Sequence, residues 1–470
     1  MKKRLFGLLI ILTLLLTPVN VQPVNAAAYG TTFTTSVTYQ NVGTGPASIS
    51  ILFYQEASGT PITINRPQLA PLAGTSIFVG SLTEISSGFK GSAVMQSDQP
   101  LVATLVQVPP TGSSVKVRPL SNGFSSGASV VGIPTVLKNT FGTHSTVVVQ
   151  NIDSVGADLT FTFTPVSGSP VVITHNNLPS GAAKYYDLGQ LSQLGTSFNG
   201  ALLVSSRETG TTNAGNIVAT AMEMNITGNG AYAFEGTAQS GNKIYMPSAL
   251  CRFTAAQQTT AYAVQNTSAG IVNVTVMYSS GNNDGPFPIP AGGKRSFDGC
   301  AVNGTGFIGS ATIESTGGNI VAVGKVFGGG LSTAFLGFTD GAPKIALPYV
   351  RYTQSQWTNG VRQRAFIAIQ NVGTTNLATG QVTVKYYGKD GVLIGTHTLG
   401  AIAAGAKVNS NASNIGTAGN EFGYYTDGSF GGSAIIQGPV GSKLAAVVRV
   451  QTYVSASVSA GEDYTGIPIQ

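Results

Sequence analysis

The sequence predicts an all-β chain of four tandem immunoglobulin-like β-sandwich units that follow a cleaved signal peptide. The first observation is that Gln-Asn ends an apolar run four times, at spacings of 110, 115 and 105 residues. The second is that apolar and polar residues alternate after each pair, which buries one face of a strand. The third is that no later stretch keeps a helical period. The pairs are Gln40-Asn41, Gln150-Asn151, Gln265-Asn266 and Gln370-Asn371.

Residues 1–26 have the order of a secretory signal peptide. Lys2, Lys3 and Arg4 precede a mainly apolar run, and Val24-Asn25-Ala26 offers a small-residue cleavage site. The apolar run is shorter than the roughly 20 residues that span a bilayer. We therefore expect an exported chain, secreted or held at the cell surface, with no membrane span in the mature protein.

Each repeat contains the same succession of glycine turns and apolar strands after its Gln-Asn pair. Proline-bearing connectors at Pro134, Pro247 and Pro348 separate the repeats. About 105 residues with some seven short strands is the size of an immunoglobulin-like sandwich. The predicted units are residues 27–126, 127–240, 241–341 and 342–470. Strand-like connectors suggest a stiff rod of sandwiches in a row, and a closed four-bladed propeller is the alternative.

One motif resembles a known kind of repeat. Gly88-Phe89-Lys90-Gly91-Ser92-Ala93 recurs as Gly306-Phe307-Ile308-Gly309-Ser310-Ala311, whereas the second unit has Gly200-Ala201 at the corresponding point. Together with a strand ending in Val-Gln-Asn, this resembles uncharacterised exported β-sandwich repeat proteins of Chloroflexota-type bacteria. The resemblance implies a surface protein and carries no catalytic residues.

Charge is sparse: 9% of residues are charged, against about 25% in an average domain. Without Lys2, Lys3 and Arg4 the chain has 21 basic and 18 acidic residues, a net charge of +3. This balance gives no electrostatic footprint for nucleic acid. It suits a protein that associates with copies of itself or with other surface proteins.

Two cysteines, Cys251 and Cys300, both fall in the third unit. In an exported chain they predict a disulfide, and two buried thiols are the alternative. The three histidines lie far apart in sequence, so no single segment offers a nucleophile, a base and an orienting acid together. We therefore expect no enzyme and no cofactor, with calcium at Gly461-Glu462-Asp463 as a weaker alternative.

The connector of the fourth unit is the best candidate for contact with a ligand or partner. It holds Arg351, Trp357, Arg362 and Arg364, in a chain that has one tryptophan. Arginine beside aromatic rings can bind an acidic polysaccharide or a neighbouring subunit. The alternative is an ordinary loop with Trp357 packed on a sandwich edge.

The Gln-Asn pairs themselves have two interpretations. They could form a recognition ladder, or the asparagine could cap the turn after each strand, which we favour. The sequence as a whole predicts an exported, non-catalytic structural or adhesive protein that self-associates. A glycan-binding array and an extracellular hydrolase are the alternatives.

Overall fold

A computed structural model of the chain describes residues 33–110, 112–113, 115–225, 230–354, 361–425, 429, 431–454 and 457–470. The predicted signal peptide and Trp357 lie outside these ranges. The described residues form antiparallel sheets that pair into four β-sandwiches in chain order. The predicted all-β class and the four tandem sandwiches are confirmed.

The first two sandwiches contain fifteen strands. Those of sandwich 1 are β1 (Thr34–Asn41), β2 (Ala47–Gln55), β3 (Pro61–Leu69), β4 (Gly74–Phe78), β5 (Gly91–Ser97), β6 (Leu101–Val108) and β7 (Leu120–Asn122). Those of sandwich 2 are β8 (Val130–Lys138), β9 (Thr143–Asn151), β10 (Ala157–Pro165), β11 (Val171–Leu178), β12 (Ala183–Asp187), β13 (Phe198–Glu208), β14 (Ile217–Asn225) and β15 (Ala231–Glu235).

The last two sandwiches contain the remaining described strands. Those of sandwich 3 are β16 (Lys243–Cys251), β17 (Thr259–Asn266), β18 (Val272–Tyr278), β19 (Asn283–Ile289), β20 (Lys294–Asp298), β21 (Phe307–Thr316), β22 (Ile320–Gly328) and β23 (Leu331–Leu336). Those of sandwich 4 are β24 (Lys344–Leu347), β25 (Tyr352–Thr353), β26 (Val361–Asn371), β27 (Thr383–Tyr387), β28 (Leu393–Thr398), β29 (Lys407–Ser410), β30 (Glu421–Phe422), β31 (Ser433–Gln437), β32 (Leu444–Val454), β33 (Ser457–Thr465) and β34 (Ile467–Pro468).

The helices of the described chain are short 3-10 segments: Val79–Ser81, Leu188–Gln190, Ser192–Leu194 and Ala412–Gly419. None of these described helices has the length and hydrophobicity of a membrane-crossing segment.

Sandwiches 2 and 3 share one strand order. In sandwich 2 the sheets run β11-β10-β13-β8 and β12-β9-β14-β15, and sandwich 3 repeats this order with β16–β23. The second strand pairs with the fifth and the third with the sixth, as in the immunoglobulin order. In sandwiches 2 and 3 the seventh strand lies beside the second strand, whereas in the immunoglobulin order it lies beside the sixth.

The predicted alternation is present in the strands. In β10 the side chains of Leu159, Phe161 and Phe163 are buried between the two sheets, while Thr160 and Thr162 are only half-buried on the other face. Burying each large apolar side chain contributes about 1.5–3 kcal/mol. Burial of one face per sheet therefore fixes the register of each strand.

The asparagine of each Gln-Asn pair holds the turn that follows its strand. Asn266 donates from Nδ2 to the carbonyls of Gly270 (2.7 Å) and Ile289 (3.0 Å), and its Oδ1 accepts from the Ser268 amide (2.8 Å). Asn41, Asn151 and Asn371 repeat all three bonds in their own sandwiches. The capping interpretation is confirmed.

The glutamine of each pair lies at the joint with the preceding sandwich. Gln265 of sandwich 3 donates from Nε2 to the carbonyl of Leu202 in sandwich 2 (3.3 Å). Gln40 of sandwich 1 donates to the Ser433 hydroxyl in sandwich 4 (2.7 Å). In the other two joints a carbonyl accepts from the glutamine and from a serine of the preceding sandwich. These trios are Gly181 with Gln150 and Ser92, and Gly405 with Gln370 and Ser310.

The four sandwiches form a closed ring. The strands β7, β15, β23 and β33 lie against one another in that order, and β33 also lies against β7. Apolar clusters cross the joints: Ala263 and Val323 of sandwich 3 belong to the core of sandwich 2, and Val106 and Leu120 of sandwich 1 belong to that of sandwich 4. The expected rod is wrong. Outward-facing alanine and valine side chains pack against the neighbouring sandwich, and the four sandwiches close into a ring instead of lying in a row.

Buried charge concentrates at these joints. The fully buried or nearly buried ionic side chains of the described chain are Lys138, Glu223, Glu235, Lys294, Glu462 and Asp463. Four of the six contact a neighbouring sandwich directly: Glu223 pairs with Lys325, Glu235 accepts from the Asn122 amide, Lys294 donates to Thr135 and Glu462 pairs with Arg118. A buried ion pair adds little net stability, but removing one partner costs about 3–5 kcal/mol, because the other charge is left buried and unpaired.

Candidate binding surface on the fourth sandwich

Arg362 and Arg364 lie together on the outer face of a sheet in sandwich 4. Strand β26 alternates there, so Gln363 and Ala365 are buried while the two arginines are half-exposed on the other side. Tyr352 of β25 is the cross-strand partner of Arg364. Tyr453 of β32 is the cross-strand partner of Arg362. We call Tyr352, Arg362, Arg364 and Tyr453 the Arg–Tyr patch; Tyr352 is its buried member and belongs to the hydrophobic core of sandwich 4.

Tyrosine rings flank both guanidinium groups. The Arg364 Cζ atom lies 5.3 Å from the ring centroid of Tyr352 and 5.7 Å from that of Tyr453. The Arg362 Cζ atom lies 5.2 Å from the Tyr453 centroid. Each such cation–π contact contributes about 0.5–1 kcal/mol at an exposed site. The rings therefore restrict both arginines to the plane of the sheet surface.

Backbone carbonyls complete the positioning of the patch. Arg364 donates from Nε to the carbonyl of Thr353 (3.0 Å), and Arg362 donates from Nη1 to that of Gln354 (3.2 Å). The Gln354 amide in turn donates to Glu421 Oε1 (3.1 Å), which is the nearby carboxylate on β30. These bonds fix the positions of the two guanidinium groups relative to the loop after β25.

Arg351 does not belong to this patch. It occupies the opposite side of the sheet, where its Nη1 donates to Gln363 Oε1 (3.1 Å) and its Cζ lies 4.9 Å from the Tyr349 centroid. The structure thus brings together Arg362 and Arg364 and separates Arg351 from them. Trp357 lies outside the described residues.

Glu462 is the buried carboxylate near Arg351. Its Oε1 pairs with Arg118 Nε at 2.5 Å across the joint between sandwiches 4 and 1. Burial raises the pKa of Glu462, and the charges of Arg118 and Arg351 oppose that rise. Its neighbour Asp463 binds the Arg449 guanidinium at 2.7 Å. The two carboxylates of the suggested calcium segment are therefore bound to separate arginines, and no metal-ligand group of three occurs among the described residues.

The predicted pair of cysteines lies at disulfide distance. Cys251 ends β16 and Cys300 follows β20, with 4.9 Å between their Cα atoms. The bond joins two sheets of sandwich 3 and closes a loop of 49 residues. Such a loop contributes about 4 kcal/mol in the chain-entropy model.

A serine and a histidine 13 residues apart in sequence meet at the edge of sandwich 4. His397 Nδ1 lies 2.8 Å from Ser410 Oγ, which also bonds the Tyr386 hydroxyl at 2.7 Å. Ser410 is 1% exposed and Tyr386 is fully buried, so a substrate cannot reach this hydroxyl without unfolding the edge. Burial also lowers the pKa of His397. We interpret the trio as a structural network.

Sequence reasoning did not find the tyrosines of the patch or the buried ion pairs. Tyr453 and Tyr352 lie on different strands from the arginines, and only the strand register brings them together. Comparison with known proteins adds little. No protein-family model matches the chain, and no curated protein matches it.

Among solved structures, the chain is similar to one described as a tetra-tandem repeat in the extending region of a large adhesion protein. The identity is 11%, the match covers 92% of this chain and 94% of that chain, and the TM-score is 0.10. A TM-score this low carries no argument about fold or function.

Proposed function

We propose that the chain is an exported, non-catalytic structural or adhesive protein of the cell surface or extracellular matrix. The observation that carries this proposal is the closed ring, in which apolar contacts and a side-chain hydrogen bond cross each joint; the donor is a glutamine in two joints and a serine in the other two. A closed ring of four sandwiches is a stiff support for surface loops. Loops and sheet faces on such a support present binding residues at little cost in ordering entropy.

Self-association is the second part of the proposal, and it rests on the outer edge strands. Strands β3, β11, β19 and β28 each end a sheet. Prolines interrupt β3 and β19, a feature that blocks pairing with another chain. Strands β11 and β28 contain neither proline nor a charged residue, and they expose Val172 and Leu393. They belong to sandwiches 2 and 4, which lie on opposite sides of the ring.

Sedimentation velocity and electron microscopy of the mature protein, residues 27–470, test this proposal. We expect oligomers or linear chains, and we expect Val172→Lys with Leu393→Lys to reduce them to single rings. Ile62→Lys on the proline-bearing β3 is the matched control and should leave assembly unchanged. A strictly monomeric wild type that also binds no cells or matrix would refute the proposal.

A glycan-binding protein is the second candidate, because Arg362 and Arg364 lie beside the half-buried ring of Tyr453 on the outer face of a sheet. The hydrolase alternative rests on the buried Ser410 and His397 alone. A broad hydrolase screen of the purified protein, expected to give no turnover, separates that alternative from the other two.

A further inference from the structure

We infer that a cleft on the outer face of sandwich 3 binds a neutral polysaccharide through the side chains of Asn273, Thr275 and Glu314. This inference rests on the adhesive part of the proposed function and names a ligand class for it. The cleft has a volume of about 720 Å³, and residues from all four strands of the sheet β16-β21-β18-β19 line it. Clefts of about 300–1,000 Å³ are the usual sites of small ligands.

Strand register places the polar residues of the cleft in two rows across the sheet. Glu314 of β21 lies between Lys243 of β16 and Thr275 of β18. Asn273 and Thr316 form the next row on the same face, two residues along their strands. Neighbouring strands are about 4.8 Å apart, and the two rows are about 7 Å apart. Neighbouring hydroxyls of one sugar ring can therefore contact side chains of two strands at once.

The two charges in the cleft cancel each other. Lys243 Nζ lies 2.6 Å from Glu314 Oε1, and this hydrogen bond raises the pKa of Lys243, so the lysine stays charged. A ligand of either sign would meet one partner of the pair that repels it. An uncharged ligand avoids this repulsion, and Glu314 Oε2 can still accept a hydrogen bond from a hydroxyl.

Asn273, Thr275 and Thr316 supply hydrogen-bonding groups that the protein itself does not use. Asn273 and Thr316 are exposed and Thr275 is half-buried, and none of the three side chains makes a hydrogen bond to another residue of the described chain. Amide and hydroxyl side chains both donate and accept hydrogen bonds. Sugar hydroxyls also do both, so the lining matches an uncharged polyhydroxylated ligand.

The corresponding position of sandwich 2 is already in use. Asp158 stands on β10 where Asn273 stands on β18, because each comes two residues before the threonine at the centre of its strand. The Asp158 Oδ1 atom accepts from the Asn177 amide at 2.8 Å and from the Thr209 hydroxyl at 2.9 Å. Sandwich 2 therefore uses this position to hold its own chain, whereas sandwich 3 leaves it open to a ligand.

Met277 and Pro286 give the cleft an apolar side. Met277 is half-buried and follows Thr275 on the same face of β18, and Pro286 is exposed on the edge strand β19. The register of β18 against β19 shifts between Val274 and Val276, as at a β-bulge, which bends an edge strand. The C–H side of a sugar ring can pack on the thioether and the pyrrolidine ring while its hydroxyls reach the two polar rows.

Biolayer interferometry of the immobilised mature chain, residues 27–470, tests the inference. The probes are dextran, galactomannan and xyloglucan, which are neutral, and polygalacturonate, which is acidic. We expect at least one neutral polymer to bind, with an affinity that does not change with salt, because the ligand carries no charge to screen. Polygalacturonate should not compete with it.

Two variants test the named side chains. Asn273→Ala with Thr275→Ala should weaken binding of the neutral polymer at least tenfold, because hydrogen-bonding groups of both rows are lost. Glu314→Gln should weaken it several-fold and should let polygalacturonate compete, because Lys243 then lacks its carboxylate. If the double alanine variant does not fold, the single variants are measured, each expected to weaken binding several-fold.

Thr160→Ala is the matched control. Thr160 has the position in sandwich 2 that Thr275 has in sandwich 3, but its cross-strand partner is Ser205. Its loss should change binding of the neutral polymer less than twofold.

Three results would overturn the inference: no binding of any of the three neutral polymers, unchanged affinity in the folded alanine variants, or competition by polygalacturonate in the wild-type protein. Cell attachment and assembly are measured separately on the same preparation. If the protein attaches or assembles but ignores the neutral polymers, this inference fails while the proposed function stands.

Discussion

Gln40 and Ser433 are 393 residues apart in the chain, yet the side-chain amide of Gln40 donates a buried hydrogen bond of 2.7 Å to the Ser433 hydroxyl. The same amide also donates to the carbonyl of Leu72 at 3.0 Å. This contact joins the last sandwich to the first. It is one of the bonds that make the chain a ring.

Replacing Gln40 by alanine should therefore weaken ring closure. We expect the free energy of unfolding to fall by about 1–3 kcal/mol, because the buried Ser433 hydroxyl and the half-buried Leu72 carbonyl lose their donor. Urea unfolding followed by circular dichroism measures this change. Gln239→Ala, at an exposed position, should stay within about 0.5 kcal/mol of wild type. Equal stability of the two variants would contradict a role for Gln40 in closure.

The turn-capping asparagines should be more sensitive than the glutamines. Asn266→Ala removes three hydrogen bonds at once, so we expect a loss of about 2–4 kcal/mol. Thermal unfolding measures it. Asn213 is an exposed asparagine that bonds the Glu208 carboxylate at 2.8 Å, and Asn213→Ala should have little effect. If Asn266→Ala lost as little stability as Asn213→Ala, the turn would have to form without its cap.

Reduction of the disulfide should destabilise sandwich 3. We expect the double variant Cys251→Ser, Cys300→Ser to lose about 2–4 kcal/mol, because the unfolded chain gains the freedom of the opened loop. Thermal unfolding with and without dithiothreitol checks this. Reductant should lower the Tm of wild type and leave that of the serine variant unchanged. A Tm of wild type that does not respond to reductant would argue against the bond.

The joint between sandwiches 2 and 3 should make stability depend on pH. Burial, with a smaller effect of Lys325, lowers the pKa of Lys294 to about 7, while Glu223 opposes the shift. An unfolded lysine has a pKa near 10.4. Between these values the unfolded state binds more protons than the folded state, so stability rises with pH.

Relative to Lys294→Met, wild type should therefore gain about 1–2 kcal/mol between pH 7 and pH 9. Urea unfolding of both proteins across this range measures the difference. The methionine variant keeps an unbranched side chain of similar length, so packing changes little. Parallel pH profiles for the two proteins would show that Lys294 remains charged in the fold.

Much of the architecture is predictable from local pattern. Alternation at Leu159, Phe161 and Phe163 determines a strand and its buried face, and Asn266 followed by a short polar segment determines a turn. These signals depend only on residues that are close together in the chain, so one sequence is enough to detect them. The sandwich class and the number of units follow from them.

The closure of the ring is not predictable in this way. Ala263 and Val323 face outward from sandwich 3, and nothing in their local sequence says that sandwich 2 covers them. The candidate surface on sandwich 4 is only half predictable for the same reason. Arg362 and Arg364 form a sequence cluster, but Tyr453 lies some 90 positions later and joins them only through strand register.

Ring closure also decides how the molecule carries mechanical load. The sandwiches at the two ends of the chain contact each other through Gln40, Ser433, Arg118 and Glu462. A force that separates the ends of the described chain therefore acts first on this non-covalent joint. We therefore expect the joint to open before the strands within each sandwich separate, so that the ring lengthens into an arc while each sandwich stays folded.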